Sequence, residues 1–344
     1  MSTAPSRPLS ILDLAFVGPG DSAGDALENS VRLAQRAEQR GYRRVWYAEH
    51  HNMATIASSA TAVLIAHVAA HTRTIRLGAG GIMLPNHAPL VIAEQFGTLE
   101  ALHPGRIDLG VGRAPGTDRN TMRALRRDDR AADTFPDDVV ELQGYLTGAT
   151  RIPGVHAVPG RGTDVPLYIL GSSLFGASLA AALGLPYAFA SHFAPAALRD
   201  AVATYRQQFR PSGQHDRPHV IAGVNVIAAD SERSAQEQLR AVSRARAVLL
   251  LGRGRHHSDE EADRLLASPQ GRAISQMMTY SAVGTPETVR EYLDRFADHA
   301  DADELIVVHP SPTIDDRLRS VDLLADVAEL TAHPAGSGES SAAA

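Results

Sequence analysis

Four short segments of the sequence combine residue types that can do acid–base chemistry or bind an anion. They are residues 49–51 (Glu-His-His), 78–81 (Gly-Ala-Gly-Gly), 110–116 (Gly-Val-Gly-Arg-Ala-Pro-Gly) and 171–173 (Gly-Ser-Ser). Histidine titrates near neutral pH and can serve as an acid, a base or a hydrogen-bond donor. Glycine lets a backbone approach a ligand closely, and serine hydroxyls at the start of a helix suit an anion.

The Glu49-His50-His51 segment has three possible interpretations, of which two are considered first. It could be a loop end that faces solvent, or it could bind a metal ion. A metal site needs ligands that converge, whereas adjacent histidines point in different directions and no third ligand is spaced nearby. A histidine that lines a pocket and acts as an acid, a base or a donor is therefore the better prediction.

The glycine runs could be ordinary tight turns, or they could bind a dinucleotide. The dinucleotide fingerprint places a third glycine where this chain has Met83, and Pro115 interrupts the second candidate run. A Rossmann-type site is therefore a weak prediction.

The Gly171-Ser172-Ser173 segment precedes a predicted helix. Amide N–H groups at a helix start are free to bind an anion, and the helix dipole favours negative charge there. Arg113 can supply a matching bidentate contact. An ordinary helix cap is the alternative, but one arginine, two serines and a helix terminus together suit a cofactor with a single phosphate.

The elements that must position these segments alternate between strand and helix along the whole chain. Eight apolar runs are predicted as strands, at residues 9–14, 45–48, 75–80, 107–111, 167–170, 187–190, 220–228 and 305–308. A helix pattern follows each of them, which indicates a parallel sheet, and eight repeats favour a closed (β/α)8 TIM barrel of the α/β class. The four segments then meet at the carboxyl ends of the strands, where barrel active sites lie.

The loops between the predicted elements do not indicate a second domain. Residues 1–333 are predicted to form one barrel domain, with extended loops after strand four (residues 112–135) and after strand seven (residues 241–284). Residues 334–344 are rich in glycine, serine and alanine, and we expect a disordered tail there.

Composition excludes several classes of chemistry. The chain has no cysteine, which removes thiol nucleophiles, disulfides and iron–sulfur clusters. All 33 basic residues are arginine. Schiff-base enzymes and P-loop nucleotide sites both need a lysine, so the composition excludes them. A net charge of −6 argues against nucleic-acid binding. Without an apolar stretch long enough to span a bilayer or a signal peptide, we expect no membrane partner and a cytoplasmic location.

The same segments carry a family resemblance. The chain resembles the bacterial luciferase-like flavin monooxygenases in four motifs, at residues 45–51, 78–85, 105–113 and 171–186. It is most similar to single-chain members that carry Gly-Arg-Ala-Pro-Gly-Thr-Asp and Ala-Ser-His-Phe motifs, here at residues 112–118 and 190–193. Some of these tailor aromatic polyketides, so the resemblance extends to a possible role in antibiotic biosynthesis.

The resemblance implies a role for each site residue. His50 matches the family's catalytic histidine beside the flavin's reactive edge, Glu49 matches a supporting acid, and His51 is a further catalytic candidate. Asn86 and His192 are expected to line the substrate pocket. No metal site is implied.

The cofactor-binding residues follow from the same motifs. Gly80 and Gly81 match a non-prolyl cis peptide that lies against the isoalloxazine ring. The phosphate site corresponds to Arg113, Ser172, Ser173 and Gly176. Luciferase has glutamate at the position of Ser172 and threonine at that of Gly176, so the resemblance does not imply luciferase's aldehyde substrate or light emission.

The implied activity is oxygenation of a small organic substrate by FMN. A separate flavin reductase would supply the reduced FMN, which would react with O2 to a C4a-peroxyflavin, and the enzyme would be a homodimer. The alternatives are an F420-dependent oxidoreductase on the same fold, a non-catalytic flavin-binding barrel and a metal-dependent hydrolase.

Overall fold

The computed structural model describes residues 7–114, 116–252, 255 and 257–332. The strands are β1 (Leu9–Asp13), β2 (Arg44–Tyr47), β3 (Arg76–Met83), β4 (Ile107–Gly112), β5 (Leu167–Gly171), β6 (Tyr187–Phe189), β7 (Val220–Ala228), β8 (Ser281–Gly284) and β9 (Glu304–Val308). The helices are α1 (Ala23–Arg40), α2 (Thr61–Ala70), α3 (Pro89–Leu102), α4 (Arg119–Ala124), α5 (Phe135–Thr147), α6 (Leu174–Leu183), α7 (Leu198–Gln208), α8 (Glu232–Leu251), α9 (Asp259–Ala267), α10 (Pro269–Met277), α11 (Pro286–His299) and α12 (Ile314–Val327).

Eight of the strands close into a parallel barrel. Their order is β6-β5-β4-β3-β2-β1-β9-β7, and β6 pairs with β7 to complete the ring. This confirms the predicted (β/α)8 architecture. The predicted tail at residues 334–344 lies outside the described residues.

The connection after β7 differs in detail from the sequence prediction. Residues 241–284 are long, as expected, but they are not a loop, because they contain most of α8 together with α9, α10 and β8. β8 pairs in parallel with the second half of β7, through Asn225 and Ser281. The connection after β4 likewise carries α4 and a short 3-10 helix, Asp129–Ala132.

Side chains alternate between two cores along each strand. On β2, Val45 and Tyr47 face the large apolar core between the barrel and its helices. Trp46 lies in the smaller cluster inside the barrel, with Leu12 and Ile306. This alternation follows from the two-residue period of a strand, and it leaves the barrel interior as the place where ligands or polar groups are enclosed.

A buried charge network fills the amino-terminal end of the barrel. Arg44 Nη1 donates to Asp108 Oδ2 at 2.7 Å, and Arg44 Nε lies 3.0 Å from Glu304 Oε1. Tyr168 and Trp46 also bond to this network. Burial raises the pKa of Glu304, but the charge of Arg44 outweighs that effect and the pKa falls to about 2.

Helix termini agree with the local signals in the sequence. Thr285 caps α11 through its side chain, and Pro286 occupies the first helical position, as predicted. Gly41 ends α1 in the left-handed conformation, with φ of 84°. None of the helices in the described ranges is long and apolar enough to cross a membrane.

Candidate active site

The carboxyl ends of the barrel strands surround a cavity of about 810 Å³. This volume is within the roughly 300–1,000 Å³ of typical small-molecule sites. Its wall includes eight of the residues that the sequence predicted for the site, namely His50, Gly80, Gly81, Arg113, Ser172, Ser173, Gly176 and His192. Trp46, the one tryptophan of the chain, lies in the same wall.

His50 follows β2 and borders the cavity directly. Its Nδ1 is buried and has no hydrogen-bond partner among the described residues. Burial lowers the pKa of His50 below its usual value. A neutral imidazole with an unused ring nitrogen can hydrogen-bond to a ligand in the cavity.

Glu49 and His51 are next to His50 in sequence but do not line the cavity. The Glu49 carboxylate accepts from Met83 N at 3.0 Å and contacts His51 Nε2 at 2.8 Å. His87 Nε2 lies 3.0 Å from both carboxylate oxygens, and Asn86 Nδ2 donates to Oε1 at 3.2 Å. Glu49 therefore ties the end of β2 to the turn after β3, which places Asn86 and His51 in a supporting layer behind the wall.

The charge state of this layer follows from its contacts. Burial raises the pKa of Glu49, but the hydrogen bonds and charge of His87 and the hydrogen bond from His51 outweigh it, so the pKa is lowered. His87 was missed at the sequence level. Its position in the turn that follows the Gly78–Gly81 run was the available signal.

The backbone of β3 forms part of the wall without side chains. The Gly80-Gly81 peptide is cis, as the resemblance implied. A Cβ on Gly80 would lie 2.8 Å from Trp46 Cβ, and one on Gly81 would lie 2.8 Å from the Gly110 carbonyl oxygen. Such contacts are too short for any larger residue, so bare backbone faces the cavity here.

One corner of the cavity mouth is suited to an anion. Ser173 is the N-cap of α6 in an extended conformation, and its side chain makes no capping hydrogen bond. The first amides of α6 are therefore not satisfied by that side chain. The Arg113 guanidinium lies over the Phe175 ring, 4.3 Å from its centre, and it forms no ion pair with a carboxylate in the part of the chain that the structure describes. Ser173 therefore lies at the N-cap position, as the ordinary-cap alternative expected, but its side chain does not cap the helix.

His192 and Arg246 also line the cavity. Burial and the positive charge of Arg246 lower the pKa of His192 to about 3, so this imidazole is neutral. Arg246 was missed at the sequence level. Val242 and Leu249, which also line the cavity, lie one helical turn before and after it on α8. This helical spacing was the pattern that could have placed Arg246 on the cavity side of the helix.

Comparisons with known proteins agree with this architecture. The family model described as "Luciferase-like monooxygenase" matches residues 8–302. A protein named luciferase-like monooxygenase from Escherichia coli K12 is 47% identical over 323 residues, which cover 93% of this chain and 96% of the relative. The N-acetyl-S-alkylcysteine monooxygenase of Bacillus subtilis is 34% identical, covering 92% of this chain and 97% of the relative.

A solved structure shares the whole fold. The crystal structure of apo-MsnO8 superposes with a TM-score of 0.83 at 35% identity, and the match covers 94% of this chain and 99% of the other. The similarity therefore extends over the barrel and the additional helices together.

Proposed function

The chain belongs to the luciferase-like monooxygenase family, and we propose that it is a flavin-dependent monooxygenase that uses reduced FMN and O2 to oxygenate a small organic substrate. The observation that carries this proposal is the shape of the cavity. It joins an anion corner at its mouth to an apolar interior that holds, among the described residues, two histidines with an unpartnered ring nitrogen, His50 and His192. A flavin mononucleotide has the matching parts, a single phosphate and a flat ring system.

The residues present fit this cofactor. Arg113 and the amides at the start of α6 would bind the phosphate, with Ser172 and Ser173 adding hydroxyl groups. The bare backbone of Gly80 and Gly81 would lie against the ring, because no side chain intervenes. Gly176 is buried under this corner, where a Cβ would lie 3.4 Å from the Tyr187 ring.

When bound, reduced FMN supplies the electrons that activate O2. The chain's own residues orient and shield the reaction. His50 would hydrogen-bond to the reacting edge of the flavin through Nδ1, which has no hydrogen-bond partner among the described residues. Leu12, Leu170 and Ile306 make the interior apolar, which excludes water and so limits wasteful loss of oxygen as hydrogen peroxide. Glu49 would act as a positioning residue through the turn after β3.

Cofactor binding can be measured through Trp46, because it is the one tryptophan and it lies in the cavity wall. We expect reduced FMN, titrated without oxygen, to quench its fluorescence and F420 to quench it weakly. Addition of O2 and a flavin reductase with NADH should then give substrate-dependent oxygen consumption. Quenching by F420 but not by FMN, or no quenching by either, would contradict the proposal.

The relatives suggest which substrates to try first. The Bacillus subtilis relative is named for N-acetyl-S-alkylcysteines, so we propose these thioethers as first substrates, with oxygen incorporation followed by mass spectrometry in ¹⁸O₂. A role in antibiotic biosynthesis stays a prediction of the sequence.

We further propose that the chain works as a homodimer and takes reduced FMN from a separate reductase. Light scattering should give twice the mass of one chain. A monomer mass that does not change with concentration would contradict the dimer.

A further inference from the structure

Arg246 is a partly buried cation between two cavities. It projects from α8 into the wall of the main cavity, and it also borders a smaller cavity of about 520 Å³ against α10, β8 and α11. Within the described residues, its polar contact is from Nη1 to the sulfur of Met278, at 2.7 Å. A thioether sulfur is a weak acceptor and carries no charge.

Two other arginines of the same helix form ion pairs with carboxylates. Arg233 bonds to Glu237 at 3.0 Å, and Arg244 bonds to Asp263 at 2.6 Å. Arg246 has no carboxylate partner anywhere in the described residues. A guanidinium removed from water without a counter-ion is unfavourable, so the missing negative charge is expected to come from a ligand.

The surroundings of Arg246 indicate what the rest of that ligand looks like. His192 beside it is neutral and cannot supply negative charge. Val242, Leu249 and Met277 line the same part of the cavity and are apolar. The phosphate corner at Arg113 is built separately, from the loop after β4 and the start of α6. Arg113 and Arg246 are therefore two separate cations in the cavity wall, and neither forms an ion pair with a carboxylate of the described residues.

We propose that Arg246 forms an anion subsite for the substrate, and that the enzyme selects substrates with a carboxylate or similar single negative charge on an apolar body. This inference rests on the proposed function in one respect, since it assigns the other anion site, at Arg113, to the cofactor phosphate. Arg246 would fix the charged end of the substrate against α8, which leaves its apolar part towards the interior near His50.

The test uses matched pairs of small probes that differ in charge alone. These are 3-phenylpropanoate and 3-phenylpropanamide, hexanoate and hexanamide, and 4-phenylbutanoate and 4-phenylbutanamide. Binding to the FMN-loaded protein is followed by calorimetry. We expect at least one acid to bind roughly tenfold or more tightly than its amide, and Arg246→Met to remove that difference while amide binding stays the same.

Two further variants make the result specific. Arg240→Met changes an exposed arginine of the same helix and should leave the preference for acids intact. Arg246→Lys retains a positive charge and should restore part of the preference, which also covers the case in which the Met variant folds poorly. Equal affinity for acid and amide in all three pairs, or an unchanged preference in Arg246→Met, would overturn the proposal.

A titration with FMN separates this inference from the proposed function. Arg246→Met should bind FMN within a few fold of the unaltered protein. Loss of FMN affinity in that variant would assign Arg246 to the cofactor and overturn the substrate subsite. If the unaltered protein fails to bind FMN but still prefers acids through Arg246 when tested without flavin, the proposed function fails and the anion subsite stands.

Discussion

Replacement of Arg113 by methionine tests the assignment of the phosphate corner. A charge-assisted contact to an anion contributes about 1.5–3 kcal/mol. The Arg113 side chain is exposed at the cavity mouth and competes with water, so the lower end of that range applies. A loss of about 1.5 kcal/mol corresponds to roughly tenfold weaker FMN binding. Riboflavin has the same ring without the phosphate, and its affinity should change far less.

The assay is quenching of Trp46 by each flavin, with reduced FMN and reduced riboflavin titrated in parallel. Arg123→Met removes an exposed arginine from the neighbouring helix α4 and is the matched control for net charge. Added salt should weaken FMN binding to the unaltered protein and have less effect on Arg113→Met. Equal losses of both flavins would show that Arg113 supports the ring or the fold, and would refute its pairing with phosphate.

Three further predictions follow from named contacts. His50→Ala should bind FMN within a few fold yet lose about 10²-fold or more in oxygenation, with the oxygen released as hydrogen peroxide; unchanged product yield would remove His50 from the mechanism. Glu49→Gln should lower the free energy of unfolding, measured with denaturant, by about 1.5–3 kcal/mol, because a buried charged acceptor is lost. A variant as stable as the unaltered protein would contradict this. Arg44→Met should lower the free energy of unfolding by about 3–5 kcal/mol at pH 7, whereas the exposed control Arg233→Met should lower it by about 0.5 kcal/mol. The loss caused by Arg44→Met should be smaller at pH 4 than at pH 7. With Arg44 present, the low pKa of Glu304 stabilises the fold above about pH 4.5 and that contribution is lost as pH falls towards 2. Without Arg44, burial raises the pKa of Glu304, so the variant becomes less stable as pH rises. An equal loss of unfolding free energy at pH 7 and pH 4 would refute this dependence on Glu304.

Local patterns were sufficient to predict the barrel and eight residues of the cavity wall. Each predicted strand is a short apolar run, and the chemistry-bearing segments follow those runs directly, as with His50 after β2 and Ser173 after β5. Closure then brings together residues far apart in sequence. β8 was not predicted because Ser281–Gly284 has four residues of mixed character after a helix, which gives little periodicity to detect.

The supporting contacts could not be predicted from the sequence. Glu49 was expected to act beside His50, but its carboxylate turns towards Met83 and His87 behind the wall. Which way a side chain at a strand end points depends on the register of the neighbouring strand, and that register is a tertiary property. The contacts of Arg44 span 64 residues to Asp108 and 260 to Glu304, and a single sequence does not pair such distant charges.

The two ends of the barrel differ in how their cations are neutralised. At the amino-terminal end, Arg44 is buried and pairs with Asp108 and Glu304, so the chain itself supplies the negative charge. At the carboxyl end, Arg113 and Arg246 border an accessible cavity and contact an aromatic ring and a thioether, respectively, without a carboxylate within the described ranges. A partly buried cation such as Arg246 is unfavourable without an anion, and the exposed Arg113 can pair with an anion at the cavity mouth. The asymmetry therefore predicts that two anionic groups enter the cavity together, one from the cofactor and one from the substrate, and that the site is electrostatically complete only when both are bound.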